Sequence, residues 1–147
     1  MKRLFVAILV ILFISSCASI NTRDSLIKDG RKSGKFSSDL DFEVLEDSIY
    51  SLLKDCYKSS RGVKMNGALL GVSRKSVSKY HFNGGLEMIA KVHFSDGASN
   101  LFLVRLEESG GVVKLTAFAQ DYVHSLLFEE LKNIAASNDA SCPLMLG

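Results

Sequence analysis

Hydrophobic and polar positions divide the chain into stretches of different period. Residues 4–13 form an unbroken apolar run of ten behind Lys2 and Arg3. Residues 18–38 are mostly Ser, Gly, Asn, Asp, Lys and Arg, with Ile20, Leu26, Ile27 and Phe36 scattered among them and no sustained apolar period. Over residues 41–59 the pattern becomes helical. Phe42, Leu45, Ile49, Leu52, Leu53 and Cys56 follow i, i+3, i+7 spacing, and Glu43, Glu46, Asp47, Lys54 and Asp55 take the other faces. Asp41 is placed to cap the first turn, Leu40 and Leu45 to form a hydrophobic staple, and Gly62 to stop the chain after the helix.

Past Gly62 the period shortens from 3.6 to 2. Residues 68–73 and 76–82 are short strand candidates. Leu86, Met88, Ala90, Val92 and Phe94 then alternate with Glu87, Ile89, Lys91 and His93. Residues 95–98 (Ser-Asp-Gly-Ala) predict a turn, 100–107 a strand, Ser109-Gly110-Gly111 a second turn, and 112–119 a closing strand. Asp121 heads a last helical stretch in which Val123, Leu126, Leu127, Leu131 and Ile134 share a face; it frays near Ser137, and Pro143 bars continuation. Consecutive strands joined by short turns leave no room for crossover helices, so the sheet is antiparallel. The expected fold is α+β: an antiparallel meander of four to five strands, an N-terminal helix packed on one face, and an additional C-terminal helix.

The apolar run gains meaning from the four residues after it. Ile14-Ser15-Ser16-Cys17 behind a basic head and a short hydrophobic core resembles a bacterial lipobox, the cleavage and acylation site of lipoprotein export signals. Ten apolar residues fall well short of the roughly 20 that span a bilayer as a helix. The resemblance implies a chain cut before Cys17, lipid on the Cys17 thiol, and a membrane as the first partner. Ala18 after Cys17, with no Asp there, resembles the signal for outer-membrane delivery. The expected organisation is a signal peptide over 1–16, an acylated cysteine and flexible tether over 17–40, and one domain over 41–147. The tether's Arg23, Lys28, Arg31, Lys32 and Lys35 exceed Asp24 and Asp29, a balance suited to a solvated linker or to contact with anionic head groups.

Charge and cysteine usage then change with processing. Loss of Lys2 and Arg3 leaves 16 basic and 16 acidic residues. A neutral balance argues against nucleic acid as a partner. Cys56 and Cys142 are the thiols left over, and in an oxidising compartment a disulfide between them is the expectation, with two separate buried thiols as the alternative.

The runs Gly71-Val72-Ser73-Arg74 and Asn100 through Phe118 look like the final hairpin of cystatin-like domains, the broad class that includes relatives of nuclear transport factor two. The likeness spans residues 42–119, with Val113 standing where many of that class carry Trp and the stretch from Asp121 as an addition. It implies a helix on a curved sheet and no particular function, because the class hosts enzymes, inhibitors and binding modules alike.

Chemistry-bearing clusters are few. His81, His93 and His124 do not have metal-ligand spacing, and no metal or cofactor is expected. Asp121, His124 and Ser125 read as a cap and first-turn residues and not as a triad. No catalytic residue is assigned. If Leu86, Met88, Ala90 and Val92 face the helix, then Ile89, Lys91 and His93 face away. A matching register adds Leu101, Leu103, Arg105, Lys114 and Thr116, giving a face of cations among aliphatics that can serve as a contact site, stand in solvent, or be partly covered by the tether. The functional expectation is a non-catalytic lipoprotein facing the periplasm, a binding or accessory subunit with an envelope protein as partner. The alternative is a small-molecule or lipid carrier with a pocket between sheet and helices.

Overall fold

The computed structural model describes residues 22–58, 63–65, 68–70, 74–95 and 97–146. The stretch expected to be an export signal, Cys17 and Gly62 lie outside them. The fold is α+β, as the alternation of periods predicts. Its elements in chain order are α1 (Arg23–Asp29), β1 (Arg31–Lys32), β2 (Phe36–Ser38), α2 (Phe42–Cys56), β3 (Val63–Met65), β4 (Ala68–Leu70), β5 (Arg74–Phe82), β6 (Gly85–Phe94), β7 (Gly97–Ser109), β8 (Val112–Ala119), α3 (Tyr122–Ser125) and α4 (Leu127–Ser137).

Strands β5 to β8 form the expected antiparallel meander, in the order β8-β7-β6-β5. The β7–β8 hairpin closes through Gly110 and Gly111, with φ of 65° and 77°. Two consecutive positive φ values suit a two-residue turn to the strand twist, and glycine alone adopts them without strain. Strands β3 and β4 pair with each other as a separate two-stranded sheet.

The main core lies between one sheet face and helices α2 and α4. Leu45, Ile49, Leu52, Leu53 and Cys56 of α2 meet Leu86, Met88, Ala90 and Val92 of β6, Phe102, Val104 and Leu106 of β7, and Leu131 and Ile134 of α4. Phe94, at the strand end, escapes the core and is exposed. Leu40 packs against this core, but the Asp41 side chain makes no capping hydrogen bond. Asp121 does cap, accepting from the His124 amide at 3.0 Å. The single helix expected beyond it breaks at Leu126, whose N–H turns back to Val123 O, three residues earlier. The break rephases the chain: Val123 is exposed, while Leu127, Leu131 and Ile134 turn into the core.

The largest correction concerns residues 22–38, expected as flexible tether. They fold onto the sheet. Thr22 and Ser25 make a reciprocal capping box for α1, and Leu26 is fully buried. The chain then runs antiparallel to β8, with Arg31 opposite Ala119, Lys32 opposite Phe118, and Phe36 to Ser38 opposite Leu115 to Val113. Between these pieces Ser33 exchanges bonds with Ala117, its N–H donating to the carbonyl at 2.9 Å and its Oγ accepting from the amide at 2.8 Å. The sheet therefore has six strands, and β8 is spared an open edge. Gly30 makes the turn possible: a Cβ there would lie 2.3 Å from Leu26 O and 2.9 Å from Ala119 O. A seven-residue helix and strands of two and three residues are too short to print a period, which is why the stretch reads as linker.

Candidate binding face of the sheet

The sheet face turned away from α2 carries most of the residues that the alternation marks as a contact surface. Register decides which of them are available. Glu87, Ile89, Lys91 and His93 alternate outward along β6, opposite Tyr80, Ser78, Ser76 and Arg74 of β5. On β7, Leu103 pairs with Ile89 and Arg105 with Glu87, so both share that face. Leu101 does not. Ala90 pairs with Phe102 and Lys91 with Asn100, leaving Leu101 as the extra residue of a β-bulge. The bulge shifts its phase, and Leu101 is buried in the main core.

Ile89 and Leu103 are on the expected face yet are not free to bind a partner. Together with Phe118 they receive Leu26 of α1, forming a second small core, with Ile27 packed beside it. The chain's own N-terminal segment thus occupies the aliphatic centre of the face. What remains around it is polar: Lys91, His93, Arg105 and Lys114. His93 Nε2 lies 2.7 Å from Ser76 Oγ. Lys91 Nζ donates to the Tyr80 hydroxyl at 3.1 Å, and this bond holds the phenol below its ordinary pKa. Lys114 pairs with Ser37 on one side and Glu107 on the other and is exposed.

At the middle of the face lies a residue not singled out from sequence. Glu87 is 3% exposed on a central strand. Arg23 of α1 grips its carboxylate with both Nε and Nη2, at 2.7 Å each, and Arg105 donates from Nε at 2.8 Å and also from Nη2. Desolvation alone would raise the pKa of this carboxyl, but the hydrogen bonds from Arg23 and Arg105 outweigh it and hold the group below the ordinary carboxylate range. One carboxylate serves two guanidiniums, and Arg23 Nη1 also pairs with Asp24 Oδ1 at 3.0 Å, so the cluster is formally balanced. The sequence does carry one half of this signal: an acid at a mid-strand position needs a cation, and Arg105 is its direct cross-strand neighbour. Arg23, 64 residues away, leaves no such sign.

Two open clefts flank Arg23. One, of about 320 Å³, is bordered by Tyr80, Phe82, Glu87, Arg105 and Glu107; the other, of about 360 Å³, by Tyr80, Glu87, Ile89, Lys91 and Asn100. Both are walled by α1 and the outer face. These two clefts lie on the side of the sheet turned from α2, and another of about 250 Å³ lies on the helix side, bordered by Leu52, Asp55, Ile134 and Cys142.

Elsewhere, Cys56 and Cys142 form a disulfide, with Cα atoms 5.2 Å apart. It pins the segment after α4 to the end of α2. Near that helix end Tyr57 is buried with no hydrogen-bond partner for its hydroxyl among the described residues, and its ring stacks on His124 at 5.8 Å. Burial drives this phenol's pKa far above its ordinary value. His124 Nδ1 lies 2.7 Å from Asp121 Oδ1. The Ser125 hydroxyl is not aligned with that pair and donates instead to Tyr122 O at 2.7 Å, so the three residues make a helix cap. His81 and His93 sit on strands and His124 on α3; among the described residues no three His, Cys, Asp or Glu side chains gather as a metal site. No described helix is long and apolar enough to cross a membrane.

Comparison with family models, curated proteins and solved structures finds no match to this chain.

Proposed function

We propose that this chain is a lipid-anchored envelope protein, held in the membrane through Cys17 on the periplasmic side, that acts by binding as an accessory subunit and performs no catalysis. The observation that carries the reading is the Cys56–Cys142 bridge. Disulfides persist in oxidising compartments, where the segment ending at Cys17 would send the chain if it is an export signal. Two independent features, one at the N-terminus and one inside the fold, then point to the same side of the membrane. The outer membrane is the proposed destination, on the strength of Ala18.

With Ile89 and Leu103 covered by α1, a protein partner is left the rim of the sheet and the helix side, where Leu144 and Met145 stand exposed after the disulfide. Photo-crosslinking groups at Phe82 and at Leu144, activated in intact cells, test the accessory role. A discrete protein adduct from either position supports it. Uncrosslinked chain and lipid adducts alone from both positions refute it. The carrier reading draws on the two clefts beside Arg23, whose volumes fall at the low end of ligand pockets. Co-extraction of a stoichiometric small molecule, lost on Arg23→Ala, would favour it over the accessory role.

A further inference from the structure

The folding of residues 22–38 changes where the domain stands. With Thr22 capping α1 on the sheet, only five backbone steps separate it from Cys17. Fully extended, five residues span at most about 18 Å. A domain of this size has a radius of gyration near 13 Å, so the leash is shorter than the domain is wide. Whichever surface surrounds Thr22 is therefore kept within reach of the lipid head groups.

That surface is basic, although the processed chain is neutral. Residues 22–38 carry five cations against two carboxylates. Arg31, opposite core-facing Ala119 and over the Tyr122 ring, turns to the far side; the outer sheet face on which the rest of the segment lies adds Arg74, Lys91, Arg105 and Lys114 against Glu87 and Glu107. Glu87 is buried between Arg23 and Arg105, and Asp24 also pairs with Arg23, so the excess of cations rests on the other basic residues of the face. Charge of the opposite sign collects on the other side of the sheet. Helices α2 and α4 together hold six acidic residues and two lysines, and the same side takes Lys75 and Lys79 of β5, the latter paired with Glu46 at 2.7 Å, which leaves it acidic on balance. The molecule thus has a cationic face, from which its leash emerges, and an anionic back. The rim near Arg23 also exposes two aromatics on the edge strand, Tyr80 at 46% and Phe82 at 41%. Such rings, apolar in body and polar at one end in the case of Tyr, settle at the head-group level of bilayers.

We infer that the outer sheet face, with α1 upon it, is a docking surface for an anionic lipid bilayer, and that the lipidated domain lies on this face with α2 and α4 pointing away. Cations near an anionic surface are attracted by about 1 kcal/mol each, which is a factor of about five in the docked-to-undocked ratio for each one removed. Tethering supplies the proximity, and the segregated charge selects the orientation.

The inference rests on acylation at Cys17, so the test starts from acylated full-length mature protein, its lipid verified by intact mass. With Cys17 acylated and the other two cysteines bridged, a new cysteine is the one free thiol. An environment-sensitive dye is placed at Phe82→Cys on the rim, or at Asn133→Cys on exposed α4, and the protein is reconstituted into phosphatidylcholine vesicles with and without phosphatidylglycerol and head-group nitroxide quencher. The expected result is quenching at 82 well above that at 133 in anionic vesicles. The contrast should shrink in 0.5 M salt, and with Lys32→Gln and Lys114→Gln together the docked-to-undocked ratio should fall about 25-fold, two factors of five. Equal quenching at the two positions, stronger quenching at 133, or a contrast indifferent to phosphatidylglycerol and to both lysines overturns the docked face. Because acylation is established beforehand, such a failure counts against the face and not against the anchor.

Discussion

Leu26→Ala should detach α1 while leaving the rest of the domain folded. Leu26 is fully buried against Ile89, Leu103 and Phe118, in a cluster separate from the main core. Truncating a buried leucine costs about 2 to 5 kcal/mol, and at a surface-docked helix that can settle into the gap the low end applies, about 2 to 3 kcal/mol. A helix of seven residues has no stability of its own in water, so its order depends on this docking, supported by the grip of Arg23 on Glu87. The loss is therefore local. Hydrogen exchange read by mass spectrometry should show the amides of residues 23–30 exchanging about 30 to 140 times faster, since each 1.4 kcal/mol is a factor of ten. The denaturant midpoint of the whole domain should move little. Leu53→Ala, at the centre of the main core, should do the reverse, lowering global stability by about 2 to 5 kcal/mol. Unchanged protection over 23–30 in the Leu26 variant would refute the docked helix. A global loss as large as that of Leu53→Ala would refute the separation of the two clusters.

Three further perturbations act on contacts elsewhere in the fold. Cys142→Ser opens a loop whose ends are 86 residues apart; the chain-entropy model sets an upper figure of about 4 to 5 kcal/mol, and a fall of at least about 2 kcal/mol in chemical denaturation is expected, with no change counting against a structural bridge. Glu87 is held below its usual pKa in the fold, so its contribution is complete above about pH 4.5 and is lost as pH falls through the lower folded-state value; urea melts from pH 7 to pH 3 should show this acid loss reduced in Glu87→Gln, and parallel curves would contradict it. Tyr57 is held neutral by burial, so stability should decline as pH rises above about 10, and absorbance titration of the folded protein should ionise Tyr80 early and leave Tyr57 unionised until unfolding; ionisation of all four tyrosines below pH 11 in folded protein would refute it.

The elements legible in the sequence are those long enough to repeat. Fifteen residues of α2 show one apolar stripe four turns long, and Leu86 to Val92 alternate through a full central strand, so both buried faces could be read directly. Turn chemistry did the same for Gly110 and Gly111. The bulge at Leu101 left no trace, because a one-residue phase slip inside Asn100-Leu101-Phe102-Leu103 still reads as an apolar strand, and it moved Leu101 from the outer face to the core. Residues 22–38 escaped for a related reason: α1 offers Leu26 and Ile27 alone, and their partners Ile89, Leu103 and Phe118 lie more than 60 residues away. Ile89, Lys91, His93, Leu103, Arg105 and Lys114 do share the sheet face turned from α2, and of the readings open for it the structure shows partial cover by residues of the expected tether. The aliphatic middle of that face belongs to the chain itself, and its distinctive chemistry is the Glu87 carboxylate between two arginines, of which cross-strand register could reveal only Arg105.

The anchored, oxidised state at the centre of the proposed function meets its most direct test in the intact mass of the protein extracted from membranes of its own cells, before and after alkylation without reductant. The expected mass is that of residues 17–147 plus lipid, with no alkyl group taken up by Cys56 or Cys142. A chain that keeps residues 1–16, lacks lipid, or takes up two alkyl groups would contradict it.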